Sequence, residues 1–289
     1  MDEKTETLPA SAMNTVAPHA GGTNDTADDK PKRKEMSFPL FLLLVVLGAL
    51  AFRSFAFSLF NIPSESMLPR LLVGDYLVAS KWSYGISKHS LPVELGLPGG
   101  RLLASDPARG DVVIFKHPVD HVDYVKRVIG LPGDIVELRD GLVVVNGNVL
   151  PQRRVGEFRV PVSPNTDCPP GIPIQRREDG IMLCRYALWQ ETNLQGRSYQ
   201  VLDFGKSPQD NWGPRVVPEG RLFLMGDNRD NSQDSRFPAE SGGGVGMVPA
   251  ALLVGKAQRI VWSTDGSAEW LKPWTWFTAA RKGRMGDGI

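Results

Sequence analysis

The chain has 289 residues, enough for one large domain or two modest ones. Its 33 basic and 32 acidic residues nearly cancel, which excludes a global field that would gather nucleic acid or anionic lipid. Thirty glycines and 23 prolines favour a turn-rich β protein over a helical bundle.

The first 36 residues read as a disordered tail, polar and without apolar period. "SFPLFLLLVVLGALAFRSFAFSLF" follows, uncharged from Phe38 to Phe52. Fifteen helical residues reach only ~22 Å, but with Arg53 snorkelling the span extends to Phe60 and about 34 Å. A cleaved leader is the alternative, since "ALA" stands at 49–51. The long tail before the run and the bulky residues after it favour a retained anchor. Lys30, Lys32, Arg33 and Lys34 precede it, so the tail is expected inside and the remainder outside.

Beyond residue 61 the runs are short and β-branched: "DYLVAS", "GDVVIFKH", "DYVKRVIG", "DIVELRDGLVVVNGNVL", "RLFLMG" and "AQRIVW". Asp140-Gly141 and Asn146-Gly147 are hairpin signals. Residues 83–109 read as a long loop, and 163–180 as a Pro-rich excursion. Cys168 and Cys184 fit one disulfide or two thiols; an oxidising compartment favours the bridge. "EWLKPWTWFTAARKGRMGDGI" ends the chain with Trp270, Trp274, Trp276, Phe277, Arg281, Lys282 and Arg284. It either packs on the β domain or lies at a membrane interface.

Three segments carry chemistry. "FNIPSESMLPR" places Ser64 and Ser66 directly after the apolar run. A serine nucleophile needs a base. His19 lies in the tail, while His89, His117 and His121 have loop-like flanks. Pro118 argues against a shared helix face for His117 and His121, so no metal site is expected. Lys126 in "VDYVKRVIGLPGD" is the remaining base. A strand lysine ordinarily faces solvent, but burial would make it a neutral amine able to take a proton. "GDNRDNSQDSR" (226–236) is more polar than a turn requires. It suits a network in which its own Asp and Arg residues neutralise each other behind a catalytic group.

"IPSESMLP", "GDYL", "GDVVIFKHP", "DYVKRVIGLPGD" and "GDNRDNSQDSR" occur in the order found in bacterial type I signal peptidases, which the chain resembles. That resemblance implies a membrane-anchored Ser-Lys serine endopeptidase. Its fold would be mainly β, with a single N-terminal transmembrane helix and an extracytoplasmic catalytic domain. The segments implied are a cytoplasmic tail (1–36), the span (37–60), a catalytic domain in two parts (61–134 and 221–268), an inserted β subdomain (135–220) and a C-terminal tail (269–289). Ser66 would be the nucleophile, Lys126 the base and Ser64 an oxyanion donor beside the Ser66 N–H. Ser232 would orient the lysine, supported by Asp227, Arg229, Asp234 and Arg236. Phe60, Ile62, Met67, Leu71, Ile114, Tyr124 and Val125 would line shallow pockets for small residues before the cut. Glu65 departs mildly from a position that is often small, and is expected to face solvent. The implied setting is the bacterial cytoplasmic membrane, with preprotein signal peptides, the lipid bilayer and the secretion machinery as partners, no nucleic acid and no cofactor.

Two other classes compete. A tethered β module that only binds would leave Lys126 and the 226–236 run without a purpose. A self-cleaving repressor-type Ser-Lys peptidase would be soluble and linked to DNA, which the apolar run opposes.

Overall fold

The computed structural model describes residues 36–55, 57–85, 105–269 and 271–289. The tail and its basic run, most of the 83–109 loop, His19, His89 and Trp270 lie outside them.

Helix α1 (Phe38–Phe55) has 18 residues. At 1.5 Å per residue it reaches about 27 Å, short of a ~30 Å hydrocarbon core. Among the described residues no helix is long and apolar enough to cross a membrane. The expected continuation to Phe60 does not occur. Phe57–Asn61 is strand β1, paired antiparallel with β2 (Asp75–Ser80) so that Phe60 stands opposite Leu77. An apolar, aromatic run suits a helix and a strand equally, and the free edge of β2 decides for the strand.

The remainder is mainly β. Strands β3 (Val112–Lys116) and β4 (Asp123–Gly130) lead into β5 (Ile135–Arg139), β6 (Leu142–Val145) and β7 (Asn148–Val149). Then come β8 (Gln152–Pro161), β9 (Ile174–Arg176), β10 (Met182–Thr192), β11 (Ser198–Leu202) and β12 (Trp212–Val216). The chain returns through β13 (Arg221–Met225), β14 (Val248–Pro249) and β15 (Leu253–Ser263) to a short helix, α2 (Pro273–Thr278). A seven-stranded sheet runs in the order β1-β2-β15-β3-β4-β13-β14. Between β4 and β13 the chain builds two four-stranded sheets, β12-β5-β6-β7 and β11-β10-β8 with β9 beside β10. Both hairpin signals are two-residue turns with left-handed φ throughout: 48° and 82° at Asp140-Gly141, 54° and 78° at Asn146-Gly147.

Two buried clusters bear on the site. Ile62, Met67, Leu71, Leu77, Ile114, Val125 and Val254 pack together beneath Ser66. Leu68, Leu72, Tyr186 and Leu202 form the second with Cys184, which is bonded to Cys168.

The C-terminal segment folds back on the domain. Ile289 N–H donates to the Gln258 carbonyl and Gly286 N–H to the Ile260 carbonyl. Arg281 donates to the Val73 carbonyl, and Arg284 Nη2 reaches Asp75 Oδ2 at 2.6 Å. These two arginines are engaged on the domain, whereas Leu271, Trp274 and Phe277 are exposed.

Candidate active site

Ser66 lies in the turn after β1, and Lys126 in β4, whose neighbours on both sides bury it. Lys126 is 3% exposed and Ser66 7%. Lys126 Nζ lies 2.6 Å from Ser66 Oγ. Burial lowers the lysine pKa to about 8, because an ammonium loses its hydration there; Asp234 and Asp227 oppose the shift, and Arg236 adds to it. An amine titrating near 8 can accept the proton of a serine hydroxyl at neutral pH. Ser64 is exposed, its Oγ 3.4 Å from Ser66 Oγ.

The 226–236 run backs the pair. A Cβ on Gly226 would lie 2.3 Å from Ser232 Oγ and 2.4 Å from the Ser66 carbonyl oxygen, so only glycine fits between them. Asn228 grips the Ser66 turn twice. Its N–H donates to the Ser66 carbonyl at 3.1 Å, and its Nδ2 to the Glu65 carbonyl at 3.2 Å. Ser232 is buried on the cleft wall, with no hydrogen-bond partner for its Oγ among the described residues.

The expected neutralisation within the run holds only for Asp234 and Arg236, 2.9 Å apart. Asp227 pairs instead with Arg127 of β4 at 2.6 Å, and Arg229 with Glu191 of β10 at 2.6 Å. All four partners are buried, and each guanidinium forks across its carboxylate. Glu191 is held below the ordinary carboxylate range: burial alone would raise it, but Arg229, Tyr199 and Gln152 outweigh that. Arg127, Glu191 and Asn228 had no assigned role in the sequence. Arg127 carried a legible signal, a second cation beside Lys126 in a strand with apolar neighbours. Glu191 carried none.

Phe60, Ile62, Ile114, Tyr124 and Val125 line, with Ser64, Ser66, Lys126 and Ser232, a cleft of about 1040 Å³. Met67 and Leu71 do not line it. Both are 0% exposed, because their side chains turn down into the cluster beneath. Glu65 does not simply face solvent either: it is half-buried in the cleft wall, and Asn231 Nδ2 donates to its Oε2 at 3.1 Å. His117 is fully buried. Its Nδ1 accepts from the Val119 and Asp120 N–H groups at 3.2 Å, and its Nε2 faces the Gly244 carbonyl at 3.2 Å.

Residues 35–262 match the family model for signal peptidase, peptidase S26. This chain belongs to that family. Its members are serine endopeptidases, and so is this one. The peptidase is 35% identical over 251 residues to signal peptidase I of Rickettsia typhi, covering 83% of this chain and 84% of that one. With signal peptidase I of Rickettsia felis it shares 32% over 274 residues, covering 87% and 92%. A solved signal peptidase I from Enterococcus faecalis is 24% identical, with a TM-score of 0.28, over 53% of this chain and 97% of that one.

Proposed function

We propose that this peptidase removes N-terminal signal peptides from exported preproteins at the outer face of the bacterial cytoplasmic membrane, with Ser66 as nucleophile and Lys126 as general base. The observation that carries the reading is the 2.6 Å approach of a buried lysine, its pKa lowered to about 8, to a buried serine. Neutral Lys126 takes the Ser66 proton as Oγ attacks the scissile carbonyl carbon, and gives it to the leaving amine as the C–N bond breaks. The Ser66 N–H and the Ser64 hydroxyl stabilise the oxyanion, a contribution of several kcal/mol, since losing one such donor typically costs ~100- to 1000-fold in rate. Water then attacks the acyl-enzyme with Lys126 again as base. The Arg127–Asp227, Arg229–Glu191 and Asp234–Arg236 pairs hold the wall behind the amine, and the unengaged Ser232 hydroxyl turns toward the amine to orient it during turnover. A hydroxyl and an amine suffice for this chemistry, so no cofactor is invoked.

The substrate lies extended. β1 is the terminal strand of its sheet, so a peptide can add along its outer edge by backbone hydrogen bonds. Phe60, Ile62, Ile114, Tyr124 and Val125 then admit only small side chains before the cut. Anchoring by α1 and the residues flanking it, with the tail inside, brings the cleft to the surface where signal peptides emerge. The bilayer and the secretion machinery are the partners of that arrangement. The test is cleavage of a preprotein by purified full-length protein. Wild type should release the mature product at the signal-peptide junction, whereas Ser66→Ala and Lys126→Ala should fold and lose nearly all turnover. Cleavage by either variant at the wild-type rate refutes the dyad.

A further inference from the structure

The cleft around Ser66 meets two different clusters. Phe60, Ile62, Ile114 and Val125 line it and pack with the core cluster beneath Ser66. Glu65, Asp230 and Asn231 line it too, and the charge of Glu65 reaches Tyr186 of the second cluster. Glu65 Oε2 accepts from Asn231 Nδ2 at 3.1 Å, and Asp230 Oδ2 accepts from the Phe204 N–H at 2.6 Å. Among the described residues neither carboxylate pairs with a basic side chain. Of the cations near them, Arg229 pairs with Glu191, Arg236 with Asp234 and Lys116 with Asp123, and Lys126 contacts Ser66; Lys81 also lines the cleft.

Two further observations mark the lack of a cation here. Glu65 is raised above the ordinary carboxylate range, by burial first and then by Asp167, the residue before the bridged Cys168. Tyr186, 1% exposed and two residues beyond Cys184, feels the charge of both Glu65 and Asp167, and among the described residues its hydroxyl has no hydrogen-bond partner. A half-buried carboxylate with only an amide for company gains from an arriving positive charge.

We propose that Glu65 forms a specificity-determining acidic subsite that takes a cationic group of the substrate just beyond the scissile bond. The inference rests on the cleavage reading above. Residues before the cut occupy the apolar wall, so an extended peptide crossing Ser66 carries the residues after the cut toward Glu65. At ~3.3 Å per residue, the first two of them fall within reach of a carboxylate beside the nucleophile. Two sources supply the same chemistry. One is a Lys or Arg side chain at those positions. The other is the new α-amine: once Lys126 has delivered the Ser66 proton to the leaving nitrogen and the C–N bond has broken, the free amine takes a proton from water and becomes an ammonium.

The test uses full-length protein in detergent and has two arms. In the first, three peptides differ only in Lys, Ala or Glu directly after the cut. Wild type should show a kcat/KM about tenfold higher for the Lys peptide than for the Glu peptide, and Glu65→Gln should bring that ratio near one. In the second, the mature-side product peptide inhibits with its α-amine free or acetylated. The free amine should inhibit about tenfold more tightly, and Glu65→Gln should erase the difference. A Glu65-dependent effect in the first arm assigns the side chain, and in the second the α-amine. Ratios equal in wild type and Glu65→Gln in both arms overturn the subsite. Should Glu65→Gln not fold, Glu65→Ala is read the same way. Failure of wild type to cleave the Ala peptide strikes the cleavage reading instead.

Discussion

On the proposed mechanism Lys126 sets the pH dependence of cleavage. Only the neutral amine is a base, and its pKa is lowered to about 8 by burial. Cleavage should therefore rise about tenfold per pH unit below 8 and level off above it, as single-turnover rates across pH would record. Lys126→Arg should be inactive throughout, because a guanidinium stays protonated; turnover in that variant sinks the neutral-amine mechanism. The same shift is a statement about stability. The folded pKa lies below the unfolded one, so the folded state disfavours the ammonium. That penalty is present in full below pH 8 and fades between 8 and ~10.4; at about 1.4 kcal/mol per unit it amounts to roughly 3 kcal/mol. Relative to Lys126→Met, wild type should gain about that much between pH 7 and 10.5 in urea titrations. Parallel stability curves for the two proteins would show that the lysine is not desolvated.

Strand β4 delivers two groups of the candidate active site, and the turns lock them. β4 supplies Lys126 to the cleft and Arg127 to Asp227 behind it, one on each face of the strand. The 226–236 run closes against Ser66 through Gly226 and Asn228. Gly226→Ala should leave a folded protein in which Ser66 or Ser232 has shifted. Since a small misplacement of reacting groups costs on the order of 100-fold, kcat should fall by about that factor while KM changes little. Unaltered kcat would mean that the close approach is not needed. The sequence made β4, β13 and the two hairpins legible because their signals are local: an apolar run, or Asp-Gly and Asn-Gly between alternating residues. It concealed β1, where aromatic residues continue the apolar pattern of α1 without a break. It also concealed the Arg229–Glu191 pair, whose partners lie 38 residues apart and meet only through the placement of β10. Ser66 and Lys126 were readable as a serine and an apolar-flanked lysine. Their 2.6 Å contact required the register of β4 between β3 and β13.

At the scale of the molecule, the bridge and the last residues close the structure. Cys168 and Cys184 are 16 residues apart, and a loop of that size contributes roughly 3 kcal/mol when bridged. Cys168→Ala/Cys184→Ala should lose about that stability, and reduction of wild type should reproduce the loss. The C-terminal closure is more demanding. Asp75 is fully buried, and it accepts from Ser263 Oγ, the Leu72 N–H and Arg284. Arg284 is its only ion-pair contact among the described residues, with the Arg281 charge nearby. Removing one member of a buried pair leaves an uncompensated charge, at a cost of about 3–5 kcal/mol. Truncation after Ala268 removes Arg284 together with Arg281 and Ile289, which packs on the cluster beneath Ser66. The truncated chain should thus lose at least ~3 kcal/mol, against a typical total of about 5–15. Cleavage of a short peptide should fall in step with the folded fraction. Arg284→Met should reproduce most of the loss without removing the exposed Trp274 and Phe277. If the truncated chain melts with wild type, the segment does not close the domain; if Arg284→Met is neutral while truncation is not, its apolar contacts hold it in place and the ion pair does not.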